Sequence, residues 1–416
     1  MERQDGLTVI LGLKNFHSLI NLNDNLHLLH SFLGNVAKHV QIILVINDSI
    51  KNIANTLKTH ITQHIYVGHV SNLTLAKVAS VYAEHLFVLT YMVEDDAWPS
   101  AKVLEAVWRE RYRADLIVAR FVYKQASLAG IQTRFLSRLL SLPLRDIFGS
   151  CRLYRREVLF ALRACLLQGT GVIDELELLV YIIAEGYSVL EVNLTDHCSA
   201  SNRLVRLPIH RLIALWRLRN SILSADYDDR AYDSIIPLQR YWQRRRFYLI
   251  RELTSGEGPV LDVGCGSSRI LTDLPKGSVG IDILLRKLRY ARRFSIALIQ
   301  ASGNHLPVAD GAFTCVLCSQ VIEHLPKHSP IIEELCRVLR PGGRLVIGTP
   351  DYAHWEWRLI ERLYAIFAPG GYADEHIARY SRQELLDLFE SRGFVHEATR
   401  YILRSELIMA FRKIKA

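Results

Sequence analysis

Short apolar runs alternate with amphipathic stretches along the first half of the chain. Strands are predicted over about 8–11, 41–46, 86–92 and 115–119, and helices over about 25–36 and 101–111. Strands that alternate with helices are typical of parallel sheets whose faces are covered by helices. The pattern therefore predicts an α/β fold for this half.

The same alternation continues in the second half, where one apolar run ends in a glycine turn. The run from Val260 to Ser268 is predicted to be a buried strand followed by a tight turn at Gly264 and Gly266. Glycine there lets the main chain pass close to a ligand. The next strand ends at Asp282, whose carboxylate can accept both hydroxyls of a ribose. A dinucleotide site has a similar pattern, although Ser268 replaces its third glycine.

Three later segments distinguish this pattern from that of a dinucleotide site. They run from Leu306 to Phe313, from Val316 to Leu325 and from Leu339 to Ile347. With the glycine turn, they resemble the motifs of class I S-adenosylmethionine (SAM) dependent methyltransferases, in the same order, over roughly residues 259–394. The resemblance implies a Rossmann-like, seven-stranded and mostly parallel sheet, with SAM bound at the carboxyl ends of the strands.

The resemblance also implies which residues contact the cofactor. The main chain of the glycine turn faces the methionine part of SAM, and Asp282 accepts the ribose hydroxyls. Ser302 stands where the family usually has an acidic residue for the adenine, so main-chain groups near Gly303 share that contact. The predicted cofactor residues are Asp262, Gly264, Cys265, Gly266, Asp282, Ser302, Gly303 and Gln320.

An oxygen acceptor would benefit from a general base, because its proton must leave as the methyl group arrives. Glu323, His324 and His376 are the candidates for this catalytic role. Glu323 and His324 belong to the family's usual Glu-His-Leu, where both often position the end of a strand. His376 lies in an insertion that typically closes the acceptor pocket. Both the catalytic and the structural interpretation stay open at this point.

The first half has segments that resemble family 2 glycosyltransferases of the GT-A fold, especially polyprenyl-phosphate sugar transferases. The segments run from Asp146 to Leu159, from Glu177 to Val192 and from Asn202 to Leu204. The resemblance implies that Arg152, Glu177 and Arg203 lie at a site for a nucleotide sugar or a glycan carrier.

The donor side of that family's pattern is only partly present. Its nucleotide-binding motif keeps Asp48, and its metal motif keeps Asp95, with Glu94 and Asp96 beside it. Carboxylates after a buried strand can hold Mg²⁺ or Mn²⁺, which neutralises a nucleotide diphosphate. Asp95 and Asp96 are the predicted metal ligands. Either the sugar donor is unusual, or the domain binds a glycan carrier without transferring sugar.

Chain length and net charge indicate the number of domains and the kind of partner. With 416 residues, the chain is predicted to form two domains, 1–222 and 223–416. The net charge of +9 indicates an anionic partner, such as a phosphorylated ligand, a membrane surface or a nucleic acid. We find no RNA-binding element, so nucleic acid is disfavoured.

The lack of a predicted signal peptide or membrane-spanning segment favours a cytoplasmic protein. The opening residues lack a signal-peptide pattern, and the longest apolar runs are only strand-sized. The basic helix predicted within Arg203–Asn220 either packs on the first domain with solvated arginines or lies against the anionic inner face of a membrane.

The sequence thus predicts two doubly wound α/β domains, a GT-A-like one and a SAM methyltransferase. The predicted function is a bifunctional type of enzyme in glycan or glycolipid biosynthesis, with methyl transfer to an oxygen acceptor. The alternative is a SAM-dependent methyltransferase whose first domain is an inactive, glycosyltransferase-like binding module for a glycan or polyprenyl-phosphate-linked substrate.

Overall fold

The computed structural model describes residues 5–13, 22–47, 64–67, 70–93, 98–121, 128–163, 175–194, 208–360 and 376–414. The chain divides into two compact units. Unit 1 comprises Met1–Ile183 and Tyr187–Trp216, and unit 2 comprises Ala184–Gly186 and Arg217–Ala416. Each unit contains a seven-stranded sheet. The alternation of strands and helices predicts a sheet in each unit, and seven strands in the second one agree with what the methyltransferase resemblance implies.

The sheet of unit 1 is mostly parallel. Its strands are β1 (Gly6–Leu13), β2 (His39–Ile46), β3 (His64–Val67), β4 (Phe87–Val93), β5 (Leu116–Phe121), β6 (Cys151–Arg155) and β7 (Val189–Leu194). They lie in the order β3-β2-β1-β4-β6-β5-β7, and β6 runs antiparallel to both neighbours. All four strands predicted for this half are confirmed within two residues at each end.

Helices connect most of these strands. They are α1 (Leu22–Val36), α2 (Asn72–Tyr82), α3 (Ala101–Arg109), α4 (Leu128–Leu139), α5 (Arg156–Ala161), α6 (Glu175–Ala184) and α7 (Ile209–Asn220). The apolar face of α3 supplies Val103, Leu104, Val107 and Trp108 to the core against one face of the sheet. The α/β class predicted for this unit is therefore confirmed, whereas its assignment to the GT-A fold stays a prediction.

The sheet of unit 2 is preceded by α8 (Tyr227–Tyr232) and α9 (Pro237–Thr254). Its strands are β8 (Val260–Val263), β9 (Val279–Asp282), β10 (Ala297–Gln300), β11 (Phe313–Ser319), β12 (Leu339–Pro350), β13 (Phe394–Ile402) and β14 (Glu406–Lys413). They lie in the order β10-β9-β8-β11-β12-β14-β13, and β14 runs antiparallel to both of its neighbours, β12 and β13. Further helices of this unit are α10 (Leu285–Ala291), α11 (Ile331–Val338) and α12 (Arg382–Glu390).

Both faces of this second sheet are covered by apolar cores. Successive side chains of a strand point to opposite faces. In β11, Val316 and Cys318 accordingly belong to one core, while Cys315 and Leu317 belong to the other. The carboxyl ends of β8 to β11 therefore open at one edge between two packed layers, which is where ligands bind in open α/β sheets.

A buried ion pair bears on the predicted domain boundary at residue 222. The guanidinium of Arg219 donates two hydrogen bonds of 2.7 Å to the carboxylate of Asp226, and Ser224 also bonds this carboxylate. Burial tends to raise the pKa of Asp226, but Arg219 more than compensates, so its pKa is lowered. Cutting between these residues would leave a buried charge without its partner. The division of the chain after Trp216 keeps Arg219 and Asp226 together in unit 2, and the predicted boundary at residue 222 stays a prediction.

The basic helix α7 corrects one expectation about its arginines. Arg219 is fully buried and not solvated, whereas Ile209 and Ile213 of the apolar face are 76% and 45% exposed. No helix in the described part of the chain is long and apolar enough to cross a membrane. A peripheral contact with a membrane stays a prediction.

Candidate functional site

A cavity of about 580 Å³ opens at the carboxyl ends of β8 to β11. Its volume is within the range of small-molecule sites. All eight residues predicted to contact the cofactor line it: Asp262, Gly264, Cys265, Gly266, Asp282, Ser302, Gly303 and Gln320. The sheet thus brings together residues that are up to 58 positions apart in the chain, because Asp262 and Gln320 end neighbouring parallel strands.

The glycine turn after β8 has a conformation that other residues rarely adopt. Gly264 and Gly266 have φ angles of +76° and +54°. A Cβ atom on Gly264 would lie 2.1 Å from Cγ2 of Val321, and one on Gly266 would lie 2.5 Å from Oδ2 of Asp228. The amides of Gly264 and Cys265 donate to the carbonyl of Ile281 at 2.8 and 3.0 Å. Glycine is therefore required here both for the backbone conformation and for space.

Asp282 holds this turn while it also lines the cavity. Its Oδ2 accepts the amide of Gly266 at 2.8 Å, and its Oδ1 accepts the amide of Leu284 at 2.7 Å. The side chain is buried, and burial raises its pKa despite these two donors and the nearby Lys287. Each carboxylate oxygen has lone pairs left for a further donor. The predicted contact with a ribose is compatible with this geometry and stays a prediction.

Asp262 is the second acidic group of the cavity. Burial, together with the charge of Asp282, raises its pKa to about 8. The raised pKa favours the protonated, neutral form of this carboxyl group. A protonated carboxyl can donate a hydrogen bond as well as accept one.

The raised pKa of Asp262 predicts a pH dependence of stability. A carboxyl whose pKa is higher in the folded than in the unfolded state stabilises the folded protein most below the unfolded pKa, and this contribution is lost as the pH rises through the folded pKa. From pH 4 to pH 8.5, the melting temperature should therefore fall less for Asp262→Asn than for wild type, by a few degrees. Thermal unfolding without ligand checks this, and parallel curves would contradict it.

A salt bridge beside the glycine turn was not predicted. The Asp228 carboxylate in α8 accepts the amide and hydroxyl of Ser267 at 3.0 and 3.1 Å, and Nζ of Lys287 at 2.7 Å. Burial tends to raise the pKa of Asp228, but Lys287 and Ser267 outweigh it, so the pKa is lowered. Asp228 and Lys287 both line the cavity. The sequence around Asp228 is acidic and aromatic over residues 225–234, but it does not specify Lys287 as a partner.

A polar side chain that lines the cavity near β10 has a hydrogen-bond partner, whereas some polar atoms at the end of β11 have none within the described part of the chain. Near β10, Oγ of Ser302 accepts the amide of Asn304 at 3.2 Å. At the end of β11, Gln320 has a φ angle of +60°, which is uncommon for a residue with a Cβ. Among the described residues, Nε2 of Gln320 and Oγ of Ser319 are buried without a hydrogen-bond partner. A strained residue with an unsatisfied amide at a cavity is a candidate for ligand binding.

The three predicted catalytic residues form one cluster next to this strand end. Glu323 and His324 lie in a 3₁₀ turn, Ile322–His324, and His324 lines the cavity. The rings of His324 and His376 are 5.0 Å apart between centroids, in an edge-to-face arrangement. Burial raises the pKa of Glu323 to about 8. Burial also lowers the pKa of His376 to about 4, with smaller effects from His324 and Arg379.

The predicted site in unit 1 is only partly visible. Asp48, Glu94, Asp95, Asp96 and Arg203 lie outside the described residues. Glu177 is in α6 and half-buried.

Arg152 is fully buried in β6, and its guanidinium donates to the carbonyls of Gly149 and Ile147 at 3.2 and 2.8 Å. This burial favours a structural role for Arg152 over the predicted contact with a nucleotide sugar, because its side chain has no exposed surface.

Part of unit 2 matches a known protein family. The family model described as a methyltransferase domain matches residues 261–347. A probable SAM-dependent methyltransferase of Mycolicibacterium smegmatis is 28% identical over 192 residues, which are 41% of this chain and 70% of that protein. A ubiquinone biosynthesis O-methyltransferase of Xanthomonas oryzae is 29% identical over 153 residues, covering 34% of this chain and 60% of that protein.

Part of the chain is also similar to some solved structures. The magnesium protoporphyrin IX methyltransferase of Synechocystis, with bound S-adenosylhomocysteine (SAH), is 16% identical and has a TM-score of 0.38, covering 48% of this chain and 99% of that one. The match to a Streptomyces fradiae transposon protein, 38% identical, spans only 30% of that relative's length, and that to a Streptomyces halstedii methyltransferase, 31% identical, spans 53%. The predicted methyltransferase is confirmed: unit 2 carries a SAM-dependent methyltransferase domain.

Proposed function

We propose that the chain transfers the methyl group of SAM to an oxygen atom of an acceptor bound beside the cavity of unit 2. The observation that carries this proposal is the convergence of all eight predicted cofactor residues on one cavity. Gly264 and Gly266 both line the cavity, and because they have no side chains a ligand can approach their main chain closely.

The residues of the cavity have separate roles in this proposal. The glycine turn and Asp262 would hold the methionine part, Asp282 the ribose, and Ser302 with Gly303 the adenine. When bound, SAM supplies a methyl group on a positively charged sulfur. The protein's contribution is to align the acceptor with that group and to exclude water. Gln320 would fix the strand end at which the acceptor approaches.

Glu323, His324 and His376 form the acceptor-activating end of the site. A hydroxyl acceptor must lose its proton as the bond to the methyl carbon forms, so polar groups are needed where the acceptor oxygen lies. His324 lines the cavity, and His376 lies next to its ring. This polar end of the cavity supports an oxygen acceptor.

Calorimetric titration of the full chain with SAH tests this function. We expect SAH to bind with one site per chain and NAD⁺ not to compete, because Ser268 replaces the third glycine of a dinucleotide turn. Tighter binding of NAD⁺ than of SAH would contradict the proposal and favour a dinucleotide enzyme.

We further propose that unit 1 is a GT-A-like domain that binds a glycan or a polyprenyl-phosphate-linked substrate. Its segment Asp146–Leu159 supplies β6, which lies between β4 and β5 in the sheet. The chain would then be a bifunctional type of enzyme in glycan or glycolipid biosynthesis. If the donor site is inactive, unit 1 instead serves as a binding module for the methyl acceptor.

The exposed side chains of Ile209 and Ile213 in the basic helix α7 would suit contact with an anionic membrane surface that carries a lipid-linked substrate. In this proposal the protein works in the cytoplasm, at the inner face of that membrane.

Metal binding at the carboxylates 94–96 would distinguish a bifunctional enzyme from a chain whose unit 1 is only a binding module. If the enzyme is bifunctional, wild type should bind Mn²⁺ weakly and bind it more tightly when a nucleoside diphosphate is present, because carboxylate and phosphate oxygens then coordinate the ion together. The variant Asp95→Ala should not bind Mn²⁺. Titration of Mn²⁺ followed by electron paramagnetic resonance checks this, with Asp24→Ala as the control. If wild type shows no metal-dependent nucleotide binding, unit 1 is an inactive module.

A further inference from the structure

Three side chains next to the cavity have the composition and spacing of a metal site. One nitrogen each from His324 and His376 and one carboxylate oxygen of Glu323 all lie within 4.8 Å of one another. Two imidazoles and one carboxylate are ligands that suit Zn²⁺, Fe²⁺, Co²⁺ or Mn²⁺.

The backbone holds the three side chains together. Glu323 and His324 are adjacent in the 3₁₀ turn after β11. The carbonyl of Glu323 accepts the amides of Ile377 and Ala378 at 2.8 and 2.9 Å. Ile377, the residue after His376, is therefore hydrogen-bonded to the turn that carries Glu323 and His324. The main chain thus keeps the three side chains of the cluster near one another.

Glu323 has an unsatisfied oxygen in a fully buried position. Its Oε2 accepts the hydroxyl of Thr349 at 3.2 Å. Its Oε1 is buried and has no hydrogen-bond partner among the described residues, and none of the side chain is exposed. A buried acceptor without a partner is costly. A cation between Oε1 and the two imidazoles would satisfy it.

His376 has the supporting contacts expected of a metal ligand. Its Nδ1 is 2.5 Å from the hydroxyl of Tyr352, and its ring stacks on Trp357 with an interplanar angle of 19°. A histidine that binds a metal usually has its other ring nitrogen engaged by an oxygen, which fixes the orientation of the ring.

We propose that Glu323, His324 and His376 bind a divalent transition-metal ion at the edge of the cavity. Three protein ligands leave at least one coordination position open, as in catalytic metal sites. Because His324 lines the cavity, this position would be available to the acceptor.

The role of the ion rests on the proposed function. An acceptor hydroxyl bound to the ion would lose its proton to water more readily. Its oxygen would then form the new C–O bond while the bond between the methyl carbon and sulfur breaks, which releases SAH. The two histidines would be ligands in this assignment and not the general base that the sequence predicts.

Cobalt is a suitable probe, because Co²⁺ bound to nitrogen ligands absorbs visible light. The tag-free full chain is titrated with Co²⁺, and Zn²⁺ is then added as a competitor. We expect a visible band that saturates at one Co²⁺ per chain and disappears with Zn²⁺. His376→Ala and Glu323→Gln should each weaken Co²⁺ binding by about tenfold or more, whereas His328→Ala, at an exposed position, should match wild type.

The affinity for SAH, measured on the same preparations, separates this inference from the proposed function. Wild type that binds SAH but gives no Co²⁺ band overturns the metal site and leaves the methyltransferase intact. An equal band in wild type, His376→Ala and Glu323→Gln also overturns it. Loss of Co²⁺ binding in variants that still bind SAH like wild type supports it, since that result excludes misfolding as the cause.

Discussion

Gly264→Ala should weaken the binding of SAM by about tenfold or more, equivalent to at least ~1.4 kcal/mol. The new Cβ atom would lie 2.1 Å from Cγ2 of Val321, and the φ angle of +76° disfavours any residue with a Cβ. Relief of the clash would move the turn that we expect to hold the methionine part of the ligand. Calorimetry with SAM measures the affinity, and thermal unfolding measures the accompanying loss of stability.

Gly256→Ala is the matched control. Gly256 has a φ angle of +77°, but a Cβ atom there would have no heavy atom within 4 Å. It therefore adds the same backbone strain without the clash, in a position that does not line the cavity. This variant should lose some stability and keep the affinity of wild type for SAM. If Gly264→Ala binds SAM as tightly as Gly256→Ala does, the turn at Gly264 does not hold the ligand.

Asp282→Ala should weaken SAM binding by roughly 5- to 150-fold, which corresponds to about 1–3 kcal/mol for polar partners left unmatched. The substitution would remove the predicted ribose contact and release the amides of Gly266 and Leu284. Asp282→Asn should have an intermediate effect, because one amide oxygen can replace only part of the carboxylate.

Asp273→Ala provides the control for loss of a carboxylate in the same region. Asp273 is exposed, pairs with Arg251 at 3.4 Å and does not line the cavity. Its substitution should leave SAM binding unchanged. An affinity of Asp282→Ala equal to that of wild type would contradict the ribose assignment, whatever the control shows.

The convergence of the candidate cofactor residues on one cavity could be predicted because its determinants are local. Glycine at positions 264 and 266 encodes a positive φ angle, and an acid at position 282 follows a short apolar strand. Parallel strands then place these residues at one edge of the sheet without further information. The two sheets were predictable for the same reason, since hydrophobic alternation encodes strands and helices directly.

Contacts between distant side chains could not be predicted. The salt bridge between Asp228 and Lys287 joins residues 59 positions apart, and nothing in either local sequence specifies the other. The burial of Arg152 and Arg219 was also missed, because arginine is normally expected on the surface and its partners become visible only in the fold. The positive φ angle of Gln320 likewise has no signal in its residue type.

Hydrogen–deuterium exchange of the full chain with and without SAH tests the central claim, that SAM binds in the cavity of unit 2. We predict slower exchange on adding SAH in peptides that contain residues 262–268, 282–284, 301–304 and 319–321, which border the cavity. Peptides from unit 1 should not change. An absence of protection in the glycine turn under saturating SAH, or protection confined to unit 1, would contradict the account.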